Sequence, residues 1–215
     1  MINVVKSNNI PDCLIQTKDH KCCVEQVKTE FFDKCYICEN KGLTDIETDH
    51  FNPDPNLRLE WTNLFYSCGH CNGIKSNKYV GMLNCTDFST IITDVIRFDI
   101  NPVPKEHPIF TPLNNNSSVL ETVELLEEVH NSKTLTRKLE ANNLNESICD
   151  ELIEFTYIIS KYYKANSNER RNQIKNEIKD MLHVSSKFLA FKIWLIKSNS
   201  SRFVDFQDIL PTFIN

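Results

Sequence analysis

Apolar side chains recur at helical spacing through the second half of the chain. From Leu144 to Tyr162 they step by four, four, three, four and three residues, which is the period of an amphipathic α-helix. Shorter stripes of the same kind predict three further helices, at 120–126, 174–181 and 188–195. Because such stripes are normally buried against other helices, they indicate a helical core and not a ligand site.

Two local signals mark where this helical part begins. Ser118, with Glu121 three residues later, is predicted to be the N-cap of the helix that contains 120–126. The segment before it, 99–118, holds four of the eight prolines and ends in an Asn/Ser cluster. Proline disfavours helix at the residue before it, so we expect an extended connector here.

The first hundred residues lack this regularity. Residues 1–33 show no clean period, whereas the pattern of 35–79 predicts a metal-binding turn, two short strands joined by a loop, a second metal-binding turn and a helix. The chain is therefore predicted to be α+β and mostly α, with a small metal-stabilised module followed by a helical C-terminal domain.

Composition narrows the class of protein. Apolar residues make up 40% and charged residues 25%, as in globular proteins, and no stretch has the ~20 apolar residues of a membrane span. The N-terminus, MINVVKSNNIPD, lacks an apolar signal core, so we expect a cytoplasmic protein without a membrane partner. In that reducing compartment nine cysteines favour metal binding over a disulfide framework.

Four of the cysteines have the spacing of a metal site. They form two CxxC pairs separated by 29 residues, and two such turns complete a closed tetrahedral site of four thiolates. We predict structural zinc bound by Cys35, Cys38, Cys68 and Cys71. The other five have no matching spacing and are predicted to be free thiols: Cys13, Cys22, Cys23, Cys85 and Cys149.

Polar residues between and after these turns carry a second pattern. Asp49 and His50 are followed by Pro53, Asn63 lies in mid-segment, and Asn72 comes directly after the last cysteine of the second turn. Together they resemble the HNH, or ββα-metal, endonucleases, over roughly Cys35 to Lys78, about a fifth of the chain. The helical C-terminal domain outside this region contributes less to the resemblance.

The resemblance implies a catalytic site whose residue types fit phosphodiester hydrolysis. A histidine near neutral pH can accept a proton from water, so His50 is the expected general base. Asp49 and Asn72 offer oxygen ligands for one Mg²⁺ or Mn²⁺. Asn63 is implied to bond backbone across the loop and so orient the histidine. Lys75 and Lys78, in the helix after the second turn, are expected to contact substrate phosphate.

Other zinc chemistry fits this sequence poorly. None of the six histidines begins the H-x-E of nucleobase deaminases, and the chain has no HExxH helix and no phosphate-binding P-loop. His70, inside the second turn, is expected to be exposed and not catalytic.

Charge is distributed unevenly along the chain. Residues 34–78 carry five Lys/Arg and six Asp/Glu, a balance that would not hold duplex DNA strongly by counterion release. Residues 161–202 have ten Lys/Arg and three Asp/Glu, whereas 121–154 have three and nine. These segments are either solvated helix faces or a basic surface for nucleic acid or an acidic partner.

The amino-acid sequence of the motif is similar to that of small HNH nucleases of Septu-type and retron-associated bacterial anti-phage systems. That resemblance implies an ABC-like ATPase partner and cleavage of nucleic acid, and DNA is the expected substrate. The expected units are an N-terminal segment (1–33), the nuclease module (34–98), the connector (99–118) and a partner- or substrate-docking helical domain (119–215). The alternative is a zinc-stabilised adaptor that binds nucleic acid or protein without catalysis.

Overall fold

The computed structural model describes residues 1–213, so the last two residues of the predicted helical domain 119–215 lie outside the described residues. It is an α+β structure, mostly helical, as predicted. Its strands are β1 (Ile46–His50), β2 (Leu64–Cys68), β3 (Ile96–Asp99) and β4 (Ile109–Pro112). Its helices are α1 (Asp12–Thr17), α2 (Val24–Glu30), α3 (Gly69–Lys75), α4 (Ile92–Val95), α5 (Ser117–His130), α6 (Leu135–Lys164), α7 (Asn168–Met181), α8 (Leu189–Lys197) and α9 (Ser200–Phe206).

The first sheet is an antiparallel pair of β1 and β2 that runs straight into α3. In its register Asp49 lies opposite Phe65 and His50 opposite Leu64. The side chains of β2 are buried on both faces because α2 and α3 also pack on this pair. The order strand, strand, helix is therefore the order expected for 35–79.

The helical part follows the apolar stripes with one exception. The stripe from Leu144 to Ile159 is buried along α6, as predicted. In α5 the predicted stripe is buried in part: Leu126 is buried and Val123 is half-buried, whereas Leu120 is exposed. Val119, Leu125 and Val129 complete the buried face. The predicted N-cap is wrong, since Asn116 and not Ser118 caps α5 by accepting the Ser118 backbone N–H. Asparagine, like serine, has a short polar side chain that can accept a backbone N–H at a helix N-terminus, so the same capping occurs two residues earlier than predicted.

Part of the expected connector forms sheet. Residues 109–112 pair with 96–99 as the antiparallel strands β4 and β3, and Phe98 faces Phe110 across that pair. Both rings contact Phe191 of α8 in edge-to-face geometry. The buried apolar residues form one continuous cluster that runs from the N-terminal segment to α9. Among the described residues no helix combines the length and apolar character needed to cross a bilayer.

Two cysteines outside the CxxC turns are paired. The prediction that Cys13 and Cys22 are free thiols is wrong, because α1 packs against the 3₁₀ turn His20–Cys23 and brings their Cα atoms to 6.0 Å, within a disulfide. A nine-residue separation carries no sign of this pairing, which depends on the packing of the two elements. Cys23, Cys85 and Cys149 are free and buried, as predicted.

A buried carboxylate ties the first CxxC turn to the last third of the chain. Glu39 accepts the Leu189 and Ala190 backbone N–H groups at the start of α8, at 2.9 and 3.2 Å. It also pairs with the Met1 ammonium at 2.8 Å and with Lys34 at 3.5 Å. Burial alone would raise the pKa of Glu39, but the two cations and the hydrogen bonds hold that pKa below the ordinary glutamate value.

Glu39→Gln should therefore destabilise the protein strongly. The substitution leaves Lys34 and the Met1 ammonium buried without a counter-charge, and breaking such a pair costs about 3–5 kcal/mol. Urea unfolding near pH 7 measures this, with exposed Glu47→Gln on β1 as the matched control. Since the folded-state pKa of Glu39 is depressed, its stabilisation is complete above the unfolded value, about 4.3, and is lost as the pH falls through the folded pKa. The difference in the free energy of unfolding between wild type and Glu39→Gln should thus decrease in acid. A difference that increases there would contradict this account.

Candidate functional site

The four predicted cysteine ligands converge. The Sγ atoms of Cys35, Cys38, Cys68 and Cys71 all lie within 4.8 Å of one another, and Cys68 alone is half-buried. Cys68 is the N-cap residue of α3, and its sulfur accepts the Cys71 backbone N–H at 3.5 Å. The first turn is joined to β2 because the Tyr36 N–H donates to the Tyr66 carbonyl at 2.9 Å. This cluster could hold a metal ion.

His70 lies next to this cluster but not in solvent. Its Nδ1 is 2.7 Å from a Glu140 carboxylate oxygen, and its Nε2 is 2.9 Å from the Val129 carbonyl oxygen. The side chain is only 9% exposed, so the expectation of an exposed histidine is wrong. The ring joins α3 to α5 and α6, whose residues are about sixty to seventy positions away in the chain.

A cleft of about 480 Å³ opens beside this cluster, at the end of β1. Asp49 and His50 line it from β1, Asn72 lines it from α3, and Arg58 comes from the loop between the strands. In a regular strand neighbouring side chains point to opposite faces, but β1 ends at His50, and Asp49 and His50 both line the same cleft. The expected site residues Asp49, His50 and Asn72 are thus brought together.

The imidazole of His50 is held by one hydrogen bond. Its Nε2 lies 3.0 Å from the Arg58 carbonyl oxygen, which can only accept. Nε2 therefore carries the proton, and in the neutral ring Nδ1 is the basic nitrogen. This tautomer leaves a proton acceptor on a half-exposed ring at the cleft.

Asn63 organises the loop that follows His50. Its side-chain amide donates to the carbonyls of Asn52 and Leu57 at 2.9 and 3.1 Å. Its side-chain oxygen accepts the Asn52 N–H at 2.7 Å, and its backbone carbonyl accepts the Phe51 N–H at 2.9 Å. The side chain is buried and bonds backbone across the loop, which is the placement that the resemblance implies.

The carboxylate of Asp49 is also bonded within the protein. Tyr36 donates its hydroxyl to Asp49 Oδ2 at 2.6 Å, and the Lys75 Nζ lies 3.1 Å from Oδ2 and 3.3 Å from Oδ1. Burial raises the pKa of Asp49 above the ordinary aspartate value, although Lys75 and Tyr36 oppose that rise. Burial and the nearby carboxylate in turn raise the pKa of the Tyr36 hydroxyl.

The two lysines expected at substrate phosphate are placed differently. Lys75 is 1% exposed and donates to both Asp49 and the His50 carbonyl, the latter at 2.9 Å. Lys78 is exposed, but its ammonium lies 2.9 Å from Glu128 and 3.3 Å from Glu124. Both cations are thus paired with carboxylates of this chain, a result that spacing on α3 alone does not predict.

His20, like Arg58, lines the cleft although the sequence did not predict it as a site residue. The ring of His20, from the 3₁₀ turn before α2, has its centroid 4.6 Å from that of His50 and lines the same cleft. Burial lowers the pKa of His20, and His50, Arg58 and Lys21 add to that effect against Asp19. No spacing signal links positions 20 and 50, so only the packing of the N-terminal segment could reveal this residue.

No family model, curated protein or solved structure matches the chain.

Replacing Lys75 with methionine should destabilise the protein by about 3 kcal/mol, the low end for a broken buried pair because Asp49 borders the open cleft. Without the ammonium the pKa of Asp49 rises further. A carboxyl group whose pKa is raised in the folded state stabilises the protein below its unfolded pKa, and this stabilisation is lost as the pH rises. The stability that Lys75→Met loses relative to wild type should therefore become smaller on acidification. Chemical denaturation at several pH values measures both effects. Lys78→Met, which removes an exposed ammonium, is the matched control and should leave the melting temperature close to that of wild type. Equal losses in the two variants would contradict the buried pairing.

Proposed function

We propose that this protein is a metal-dependent endonuclease of the HNH type, which hydrolyses phosphodiester bonds in nucleic acid, with DNA as the first substrate to test. The observation that carries the proposal is the convergence at one cleft of an oriented imidazole, a buried carboxylate and a side-chain amide. His50 offers a basic Nδ1, and Asp49 and Asn72 offer oxygen atoms beside it. Few purely structural sites require this combination.

The four-cysteine cluster fits structural zinc. Its donors are four sulfur atoms from two turns, and no carboxylate of the described residues, 1–213, joins the set. Such a closed thiolate set suits zinc and leaves no open coordination position for catalysis. Its role in the proposed enzyme is to hold α3 at the end of the β1–β2 pair.

We propose that a second, hard cation binds in the cleft. Within residues 1–213 Asp49 Oδ1 has one hydrogen-bond partner, the Lys75 ammonium at 3.3 Å, so it retains a lone pair for a ligand, and Asn72 would add an amide oxygen. Mg²⁺ or Mn²⁺ suits such a small oxygen set, because these ions keep water and bind substrate phosphate. When bound, the cation would neutralise charge on the phosphate. Since Lys75 offsets the charge of Asp49, we expect weak and exchangeable binding.

The protein's own groups then divide the work of hydrolysis. His50 Nδ1 accepts the proton of the attacking water while the new P–O bond forms and the bond to the leaving oxygen breaks. The Arg58 carbonyl stabilises the imidazolium through Nε2–H, and Asn63 fixes the loop that holds this carbonyl. Lys75 acts indirectly by holding both Asp49 and the His50 backbone.

Substrate binding in this proposal requires help from outside the module. Lys78 is paired with glutamates of α5, and the module carries slightly more acidic than basic residues. The basic segment 161–202, or a second protein, must therefore bring nucleic acid to the cleft. The ABC-like ATPase partner and the anti-phage role implied by the resemblance belong to this part of the proposal.

The alternative is a zinc-stabilised adaptor without catalysis, and one observation favours it. The Asp49 carboxylate already has a complete local counter-charge in Lys75, as a purely structural buried acid would. An adaptor would bind nucleic acid or a partner protein without cutting, so a cleavage assay separates the two functions.

Changing Cys68 to serine should remove zinc and unfold the module. Closed thiolate sites contribute on the order of 10 kcal/mol to folding, far more than the core of a small module can replace. We expect one zinc per chain by elemental analysis of wild type, and loss of zinc and of cooperative unfolding in the variant. Cys149→Ser, a buried free cysteine on α6, is the control and should keep its zinc. Wild-type protein purified without chelators and found free of zinc would rule this site out.

Changing His50 to alanine should abolish cleavage while fold and zinc content stay intact. The substitution removes the base and no metal ligand, and loss of a general base costs about 10²–10⁴-fold in rate. Nicking of supercoiled plasmid with Mg²⁺ or Mn²⁺ measures the rate, alone and with any co-purifying partner. Exposed His107→Ala is the matched control. Equal rates for wild type and His50→Ala would assign the base to another residue, and binding without cleavage by wild type would favour the adaptor.

A further inference from the structure

The ring of His20 reaches the cleft from outside the predicted nuclease module. Its plane is inclined by 65° to that of His50, so the two imidazoles meet edge to face with centroids 4.6 Å apart. The 3₁₀ turn His20–Cys23 that carries it also packs against β1. An element of the N-terminal segment thus completes the wall of the cleft at the proposed general base.

The turn that carries His20 is held on both sides of the histidine. Asp19 accepts the Lys21 backbone N–H at 3.0 Å and caps the turn. The Cys13–Cys22 disulfide ties the turn to α1, and Cys23 is buried beneath it. His20 is therefore presented by a constrained backbone and not by a free terminal strand.

The contact with His50 is made by the ring of His20 and not by a hydrogen bond. Its Nδ1 is buried and has no hydrogen-bond partner among residues 1–213. Within the part of the chain that the structure describes, the His50 ring is hydrogen-bonded only through Nε2, so rotation of the ring about that bond is limited by what packs against it. Aromatic rings favour edge-to-face contact, which fixes relative orientation as well as distance.

We propose that His20 is a positioning residue whose ring holds the His50 imidazole in the orientation that keeps Nε2 on the Arg58 carbonyl and Nδ1 at the cleft. The effect of His20 on cleavage rests on the proposed function. Its effect on the orientation of the His50 ring is independent of that function. Because the aromatic edge makes the contact, phenylalanine should replace histidine at this position and alanine should not.

The test compares His20→Ala, His20→Phe and wild type, with Lys21→Ala as the control in the same turn. Proton–nitrogen correlation spectra of the histidine rings, at a pH where the rings are neutral, report the tautomer of His50. The signals of His50 are assigned by their loss in His50→Gln. We expect one Nε2–H tautomer in wild type, His20→Phe and Lys21→Ala, and mixed tautomers in His20→Ala. Plasmid nicking should show a kcat about tenfold lower in His20→Ala with KM unchanged, restored in His20→Phe, because small misplacement of a reacting group lowers the rate.

The two readouts separate the two proposals. If wild type does not nick DNA, alone or with a co-purifying partner, but His50 loses its single tautomer only in His20→Ala, the nuclease proposal fails and the positioning role stands. An unchanged His50 tautomer in folded, zinc-containing His20→Ala would overturn the positioning role, whatever the cleavage rates. Failure of His20→Phe to restore the tautomer or the rate would overturn it as well, since the contact would then depend on an imidazole nitrogen.

Discussion

The convergence of four sulfur atoms is the constraint on which the site depends. It joins the turn after α2 to the junction of β2 and α3, two segments separated by 29 residues. Since Cys68 is both the last residue of β2 and the N-cap of α3, the cluster sets where the helix begins. Further along α3, Asn72 lines the cleft together with Asp49 of β1, and Lys75 pairs with the Asp49 carboxylate. The cleft therefore exists because the cluster fixes a strand and a helix in one arrangement.

Buried charges extend this constraint beyond the small module. Glu39, one residue after Cys38, bonds the first backbone N–H groups of α8, and His70, between Cys68 and Cys71, bonds residues of α5 and α6. A buried carboxylate is stable only with such partners, so the turns and the helices must assemble together. The metal-binding region and the helical part consequently share one hydrophobic core.

In the proposed enzyme, charge pairing around the cleft limits how far Asp49 and Lys78 can attract a ligand. Asp49 is neutralised by Lys75, and Lys78 is neutralised by glutamates of α5, so neither offers much free charge to a polyanion. In the proposed enzyme the imidazole of His50, with its basic Nδ1, lies at the same cleft as Asp49 and Asn72. An enzyme built in this way would depend on other surfaces or another protein for its substrate, which agrees with the proposed role in a complex.

Features that rest on short-range spacing could be predicted from the amino-acid sequence. Apolar residues three and four apart predicted α6, α7 and α8, and the two CxxC pairs predicted the cluster. The contacts between distant groups became evident from the fold alone: Lys75 with Asp49, His20 with His50, Cys13 with Cys22, and Glu39 with α8. Helical period and turn geometry are set by neighbouring residues along the chain, whereas these pairs depend on how whole elements pack, which no local pattern encodes.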